Sequence, residues 1–508
     1  MKTLPHYLYR AEQVRELDRL AIDYYGMHGM ALMNAAGQAL FDTLRQYWPR
    51  ARDIAVVCGA GNNAGDGYVL ARLAHQAGIK VELYFLTPGE SLKGDAHRAW
   101  VEAVEAGVSM INFDGQRIDT HEVIVDALLG TGLNGPVEGL FAEAIAAINA
   151  AGVAVLAADL PSGLSADTGC AQGMAVRAEV TVSFIGLKRG LLTADGPDYC
   201  GRLLFRDLHV PQAIYGHQRP AAVRIDYAGL VELLRPRARN AHKGDFGHVL
   251  VVGGEHGMAG AARLAAEAAL HCGAGRVSVA TRAAHAQVLL AQCPELMCHG
   301  VEERAELVTL LQTASVVVVG PGLGQGAWGR RMLAPVLESR LPLVVDADAL
   351  NLLAEQPDYH HNWILTPHPG EAARLLGCDS AEIQQDRFAA VAALEASLGG
   401  TVVLKGCGSL VVGPSGETAL CDSGNPGMAV AGMGDVLSGV IGALLAQGMA
   451  LEAAARLGVV LHAQAGDLAA AAQGERGLLA SALFAHLSRL MNPELGSKAR
   501  HQGRQGHD

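Results

Sequence analysis

A chain of 508 residues exceeds what one ordinary hydrophobic core organises, so two or more domains are expected. Half of the residues are hydrophobic, 62 are glycine and only 5% are aromatic, a mix that suits α/β layers in which small residues let helices sit close to strands. The formal net charge of −12 excludes duplex nucleic acid as the main partner, because such binding draws on a basic face.

Residues 1–10 contain no apolar leader, and the most apolar run, 144–158, carries Asn149 and is too short to span a bilayer. No membrane association is therefore expected. The 9 cysteines are odd in number and lack a CxxC pair, which points to reduced thiols in a cytoplasmic protein rather than disulfides or a thiolate metal site.

In chain order, residues 11–50 read as helix, with Leu17, Leu20, Ala21 and Tyr24 at helical spacing. A strand over 54–58 leads through a Gly/Asn loop into a helix over 68–77. A strand over 81–86, a helix over 95–106 and strands over 123–128 and 153–158 follow. Continuous apolar strands separated by helices predict a mostly parallel sheet covered on both faces. Ligands of such sheets lie beyond the C-terminal strand ends, where Asn62, Asn63, Asp126 and Asp159 fall. The loop CGAGNNAGDG (58–67) is neither GxGxxG nor a Walker A loop. Asn63, Asp126 and Ser162 offer hard oxygen donors that suit a monovalent or hard cation better than zinc, unless they only cap helices and turns.

The rhythm breaks over 210–243, with Pro211, Pro220, Pro236 and the cluster Arg235, Arg237, Arg239, and a domain boundary is expected near 215–228. It then restarts: strand 248–252, helix 260–272, and strands 276–280, 315–319, 343–345, 363–365, 401–404 and 410–412. The polar tail from Pro493 is expected to be disordered.

The segment NPGMAVAGMGDVLSG (425–439) runs a glycine-rich loop into an apolar helix that starts near Asp435. A helix start offers free N–H groups to an anion, and glycines let phosphate approach the backbone. Asp435 reads either as an N-cap or as an acid that deprotonates a hydroxyl beside that anion site. Lys405, Gly406, Cys407, Gly408 and Ser409 follow one strand and could cradle a nucleotide. Gly320–Gly324 and Thr366–Gly370 follow two others. His368 sits between two prolines at a strand end, placed to touch substrate. Asp346 and Asp348 either bind Mg2+ through water or cap a helix over 349–353.

The motifs KGDFGHVLVVGG (243–254), GPGLG (320–324), DADALN (346–351), LTPHPGE (365–371) and NPGMAVAGMGDVLSG (425–439) resemble the ribokinase-like superfamily and, within it, the NAD(P)H-hydrate dehydratase family across 226–490. The resemblance implies that Gly260, Ala261, Gly322, His368 and Asp435 bind hydrated nicotinamide cofactor. It implies that Lys405–Ser409 and Gly434 bind ADP with Mg2+, and that Asp435 is a general base. The loops at 58–74, 125–137 and 157–169 resemble the NAD(P)H-hydrate epimerase family over 10–215. That resemblance implies substrate binding by Asn62, Asn63, Ala64, Gly65 and Asp66, by Gly130, Thr131, Gly132, Leu133, Asn134, Gly135 and Pro136, and by Asp159. It further implies K+ on Asn63, Asp126 and Ser162, with Asp159 transferring the proton. The family's loop commonly reads NNGGDG, whereas here Ala64 replaces a glycine. If that position needs positive φ, Ala costs roughly 1 kcal/mol and weakens the epimerase.

The expected whole is an N-terminal Rossmann-like three-layer sandwich (1–220) joined to a C-terminal ribokinase-like one (226–490). It would epimerise R and S hydrates (NADHX, NADPHX) and dehydrate the S form with ADP. A homo-oligomer acting on the small molecules NADHX, NADPHX and ADP, with no nucleic-acid or membrane partner, is expected. The competing readings are a vitamin-precursor kinase and a non-catalytic N-terminal binding module.

Overall fold

The computed structural model describes residues 4–133 and 135–493; Asn134 and residues 494–508 of the expected tail lie outside the described residues. The chain divides into two compact units, 1–223 and 224–508.

The first unit carries a seven-stranded sheet in the order Ser109–Asn112, Lys80–Phe85, Asp53–Cys58, Val123–Ala127, Ala154–Ala158, Val180–Phe184, Arg202–Arg206. All of its pairings are parallel. The first, sixth and seventh of these strands lie outside the expected set, although the sixth, VTVSF, is a fully buried run of strand-favouring residues. Chain direction across the sheet reverses between Asp53–Cys58 and Val123–Ala127, so a crevice opens at their C-terminal ends.

Two expectations are corrected here. The predicted helix over 11–50 is two helices, Ala11–Asp23 and Gly29–Tyr47, because Gly26 adopts φ 70° between them. The Gly/Asn loop is largely helical: the helix runs Asn62–Gln76 and takes in the whole NNAGDG sequence. Its glycines serve packing rather than turning. A Cβ at Gly67 would lie 2.7 Å from Ala127 Cβ and 2.8 Å from Cys58 Sγ. Ala64 is fully buried and helical, so the backbone cost expected for it does not arise.

In the second unit six parallel pairings order the strands Met297–Gly300, Arg276–Thr281, His248–Val252, Val316–Val319, Leu343–Val345, Trp363–Leu365 and Thr401–Leu404. Ser409–Val412 and Ala419–Cys421 continue it antiparallel. The reversal of direction falls between His248–Val252 and Val316–Val319. The loops that follow those two strands are tied together, Gly254 N–H to Pro321 O at 3.1 Å and Glu255 N–H to Gly322 O at 2.6 Å. Helices Ala259–His271 and Met433–Ala446 cross where Gly439 meets the Ala265 carbonyl, a contact that leaves no room for a side chain. Among the described residues no helix is long and apolar enough to cross a membrane.

Candidate functional site

Each unit gathers its polar loops at the reversal of its sheet. In the second unit the glycine-rich segment enters the helix Met433–Ala446 through Gly432, at φ 94°, as the N-cap. Asp435 therefore lies in the first turn and is not the cap. Burial and the nearby Asp346 carboxylate push its carboxyl up to about 7, with Lys405 opposing. Asp346, 1% exposed, accepts from Lys405 Nζ at 2.8 Å and from Ser438 Oγ at 2.7 Å. Lys405 Nζ also stands 3.8 Å from the buried Glu371 carboxylate. Burial works against the Lys405 charge, but Asp346 and Glu371 outweigh it and raise its proton affinity.

Neither aspartate of the DAD sequence caps through its side chain. Asp346 precedes the helix Ala347–Glu355 but spends its oxygens on Lys405 and Ser438. Asp348 instead accepts from Gly324 N–H at 2.8 Å and Gln325 Nε2 at 3.1 Å, which holds the GPGLG loop. Within that loop Gly322 adopts φ 58°, and a Cβ there would sit 3.2 Å from Ala261 Cβ, so these two predicted residues adjoin. Gly260, in the same first turn of Ala259–His271, is exposed.

His368 has a role that its flanking prolines do not reveal. Its Nδ1 caps the helix Pro369–Leu376, accepting from Gly370 N–H at 3.0 Å and Glu371 N–H at 3.3 Å. Only Nε2 is then available as a donor in the neutral ring. Burial, with Lys405 nearby, lowers its proton affinity. The segment Lys405–Ser409 is the turn of an antiparallel hairpin. Gly406 and Gly408 take φ 137° and 64° there. The buried Arg387 guanidinium reaches the carbonyls of Leu404, Lys405 and Gly408 at 3.2–3.5 Å. Gly434 completes the arrangement, since a Cβ there would lie 3.2 Å from Lys405 Nζ.

In the first unit a cavity of about 570 Å3 opens at the crevice, lined among others by Asp18, Asn63, Asp66, Gly130, Asp159 and Lys188. Asn62, Thr131, Gly132 and Leu133 also line it, whereas Ala64, Gly65, Gly135 and Pro136 do not. Gly65 packs on Met33, and Gly135 and Pro136 are exposed. Asn134 lies outside the described residues.

At one end of the crevice Ser162 N–H and Oγ donate to Asp126 at 2.8 and 2.6 Å, and Leu129 N–H donates to Ser162 Oγ at 2.8 Å. Asn63 Nδ2 donates to Leu129 O at 3.1 Å, while Asn63 Oδ1 is buried without a partner. Burial pushes the Asp126 carboxyl up to about 6 despite the Ser162 bonds. Buried oxygens with one orphaned acceptor make an environment that a desolvated cation would satisfy. At the other end Asp159 stands in the left-handed region at φ 66° and is ion-paired to Lys188, which is 0% exposed.

Sequence reasoning missed Lys188, Ser438, Glu371 and Arg387 as site residues. A lysine inside the apolar run TVSFIGLKRG and an arginine opening the apolar helix RFAAVAAL were the available signals. Ser438 stands one turn after Asp435 on its helix, and Glu371 three residues after His368.

A family model described as NAD(P)H-hydrate dehydratase matches residues 249–489, and one described as YjeF-related protein N-terminus matches residues 29–190. The bifunctional NAD(P)H-hydrate repair enzyme of Coxiella burnetii is 49% identical over 486 residues, spanning 96% of this chain and 99% of that protein. Its Escherichia coli counterpart is 44% identical over 496 residues, 98% of this chain and 96% of that one. A solved ribokinase-like superfamily protein from Enterococcus faecalis is 30% identical with a TM-score of 0.50, covering 53% of this chain and 95% of its own.

Proposed function

The chain belongs to the family of bifunctional NAD(P)H-hydrate repair enzymes, and we propose on that footing that its two sites divide one repair. The N-terminal unit interconverts the R and S forms of NAD(P)H hydrate. The C-terminal unit dehydrates the S form with ADP, giving NAD(P)H, AMP and phosphate.

The observation that carries the second activity is Asp435 beside the amide-rich start of Met433–Ala446. Its carboxyl is poised near neutrality and is not used as a cap. A base of that strength takes the hydrate's hydroxyl proton while the helix N–H groups and Lys405 hold the phosphoryl group in transfer. Once phosphorylated, the oxygen leaves as phosphate, pushed out by the ring nitrogen lone pair, and loss of a proton from the adjacent ring carbon to water restores the ring double bond. Lys405–Ser409 and Gly434 hold the nucleotide, and Gly260, Ala261, Gly322 and His368 border the nicotinamide hydrate. Mg2+ bound with ADP neutralises phosphate charge. Among the described residues no group of three or more His, Cys, Asp or Glu side chains forms a metal cage. The ion enters with the nucleotide, and Asp346 and Asp348, whose oxygens already bind Lys405, Ser438, Gly324 and Gln325, would reach it only through water.

In the N-terminal unit, K+ fits the oxygens of Asn63, Asp126 and Ser162, where the orphaned Asn63 Oδ1 needs a partner. Bound there, K+ would supply positive charge to the substrate pocket, and Asp159 handles the proton exchanged as the hydroxyl-bearing carbon is inverted.

The test mixes R and S hydrate with ADP and Mg2+ and follows the near-ultraviolet absorbance of the reduced nicotinamide. Full recovery faster than spontaneous epimerisation is expected. Recovery that halts at the S fraction would remove the N-terminal activity, and none with ADP or ATP would remove the central assignment. A kinase would instead accumulate a phosphorylated product.

A further inference from the structure

The N-terminal cavity holds charged groups that neither the cation site nor the predicted substrate loops account for. Asp18, from the helix Ala11–Asp23, and Lys188, beyond the strand Val180–Phe184, line it together with Asp66 and Asp159. We infer that Lys188 is the positioning residue that makes an acid–base pair of Asp66 and Asp159 for epimerisation. This rests on the epimerase reading given above.

Three features support it. Lys188 is fully buried, and its ammonium is saturated by Asp159, by Phe184 O at 3.0 Å and by Ser183 Oγ at 3.3 Å. A buried ammonium with three protein partners is built to fix something rather than to meet a ligand. What it fixes is Asp159, whose carboxylate also accepts from Phe184 N–H at 3.1 Å and whose backbone sits in the left-handed region. Finally, the cavity's charges do not balance. Asp18, Asp66, Asp95 and Asp159 would bring four negative charges against the two of Arg15 and Lys188. Burial, then Asp159 and Asp18, push the Asp66 carboxyl well above the usual range, and burial raises Asp18 as well. Asp66 therefore faces the cavity holding its proton more tightly than an ordinary carboxyl, while the Lys188 ammonium holds the Asp159 carboxylate in place.

An acid and a base are what inversion at a carbinolamine carbon needs. The hydrate's hydroxyl sits on the carbon beside the ring nitrogen. The nitrogen lone pair forms the C=N bond as the C–O bond breaks, and the oxygen takes the Asp66 proton and departs as water. Water then adds to the other face and gives its proton to Asp159. Return of that proton to Asp66 resets the site, with no net consumption of water or proton. Other charged or titratable groups around the cavity are Arg15 and Asp95 on its wall and the Cys58 thiol near Asp66.

The experiment uses the full chain without ADP, which silences dehydration, and resolves R from S hydrate chromatographically as a function of pH. Wild-type protein should equilibrate them above the spontaneous rate; if it does not, the epimerase reading itself falls before any variant is made. Lys188→Met should lower kcat on the order of a hundredfold with KM little changed, and move the acid limb of the profile to higher pH. A lower rate with the limb in place would mark Lys188 as structural and overturn the inference. Should Lys188→Met fail to fold, the near-isosteric Asp66→Asn decides: a loss of about a hundredfold together with the alkaline limb supports the pair, and a wild-type profile overturns it.

Discussion

Replacing Asp435 by Asn removes a proton acceptor while keeping the shape of the side chain. In the folded protein the carboxyl is pushed up to about 7 by burial and by Asp346, against an ordinary value of 3.8. The folded state therefore binds the proton more tightly than the unfolded state, so ionising Asp435 destabilises the fold as pH rises from its ordinary value through the raised one. That cost is about 4 kcal/mol above pH 7 and about 1.5 kcal/mol near pH 5, and partial solvent access trims both. Asn carries no such cost. Asp435→Asn should thus be more stable than wild type by roughly 2–4 kcal/mol near pH 8, with most of that gain gone near pH 5. It should lose dehydration altogether yet still bind ADP. Denaturant unfolding of both proteins at the two pH values, with calorimetric ADP titration, measures all three quantities. A variant less stable than wild type at the higher pH, or one unable to bind ADP, would refute the argument and make Asp435 a structural residue.

For dehydration itself, kcat/KM of the wild type should rise with pH around a midpoint near 7, as the Asp435 base ionises, and lose that rise in Asp435→Asn. Ser438→Ala leaves the buried Asp346 Oδ2 short of a donor, which should cost about 1–3 kcal/mol in urea unfolding and slow dehydration. Gly434→Ala places a methyl 3.2 Å from Lys405 Nζ and should raise KM for ADP more than KM for the hydrate, read from initial rates. Exchanging K+ for a tetraalkylammonium ion should slow epimerisation in wild type but have little effect in Asn63→Ala, whose rate is already low. Equal sensitivity of the two would argue against a cation at Asn63 Oδ1.

Much of the fold is legible in the sequence because its signals are local. Apolar runs such as HVLVV and VVVV commit to buried parallel strands, and the glycine-rich loops after them mark the strand ends where the candidate sites lie. The start of the GMGD helix within two residues of Asp435 is visible for the same reason, since a glycine at positive φ and an apolar helix are neighbours in the chain. The NNAGDG sequence misleads because Asn and Gly favour loops on their own. Docking against Ala127 and Cys58, far along the chain, makes a helix of it.

What the sequence determined by itself is the plan: two α/β halves, the glycine-rich loops at their strand ends, and Asp159 and Asp435 as candidate acids on them. What only tertiary structure decided is the surroundings of those acids, and through them the raised proton affinity of Asp435. Lys188 meets Asp159 across 29 residues, and Ser438 meets Asp346 across 92. Burial and charge act through space, and residues that set the proton affinity of an acid need not stand near it in the chain.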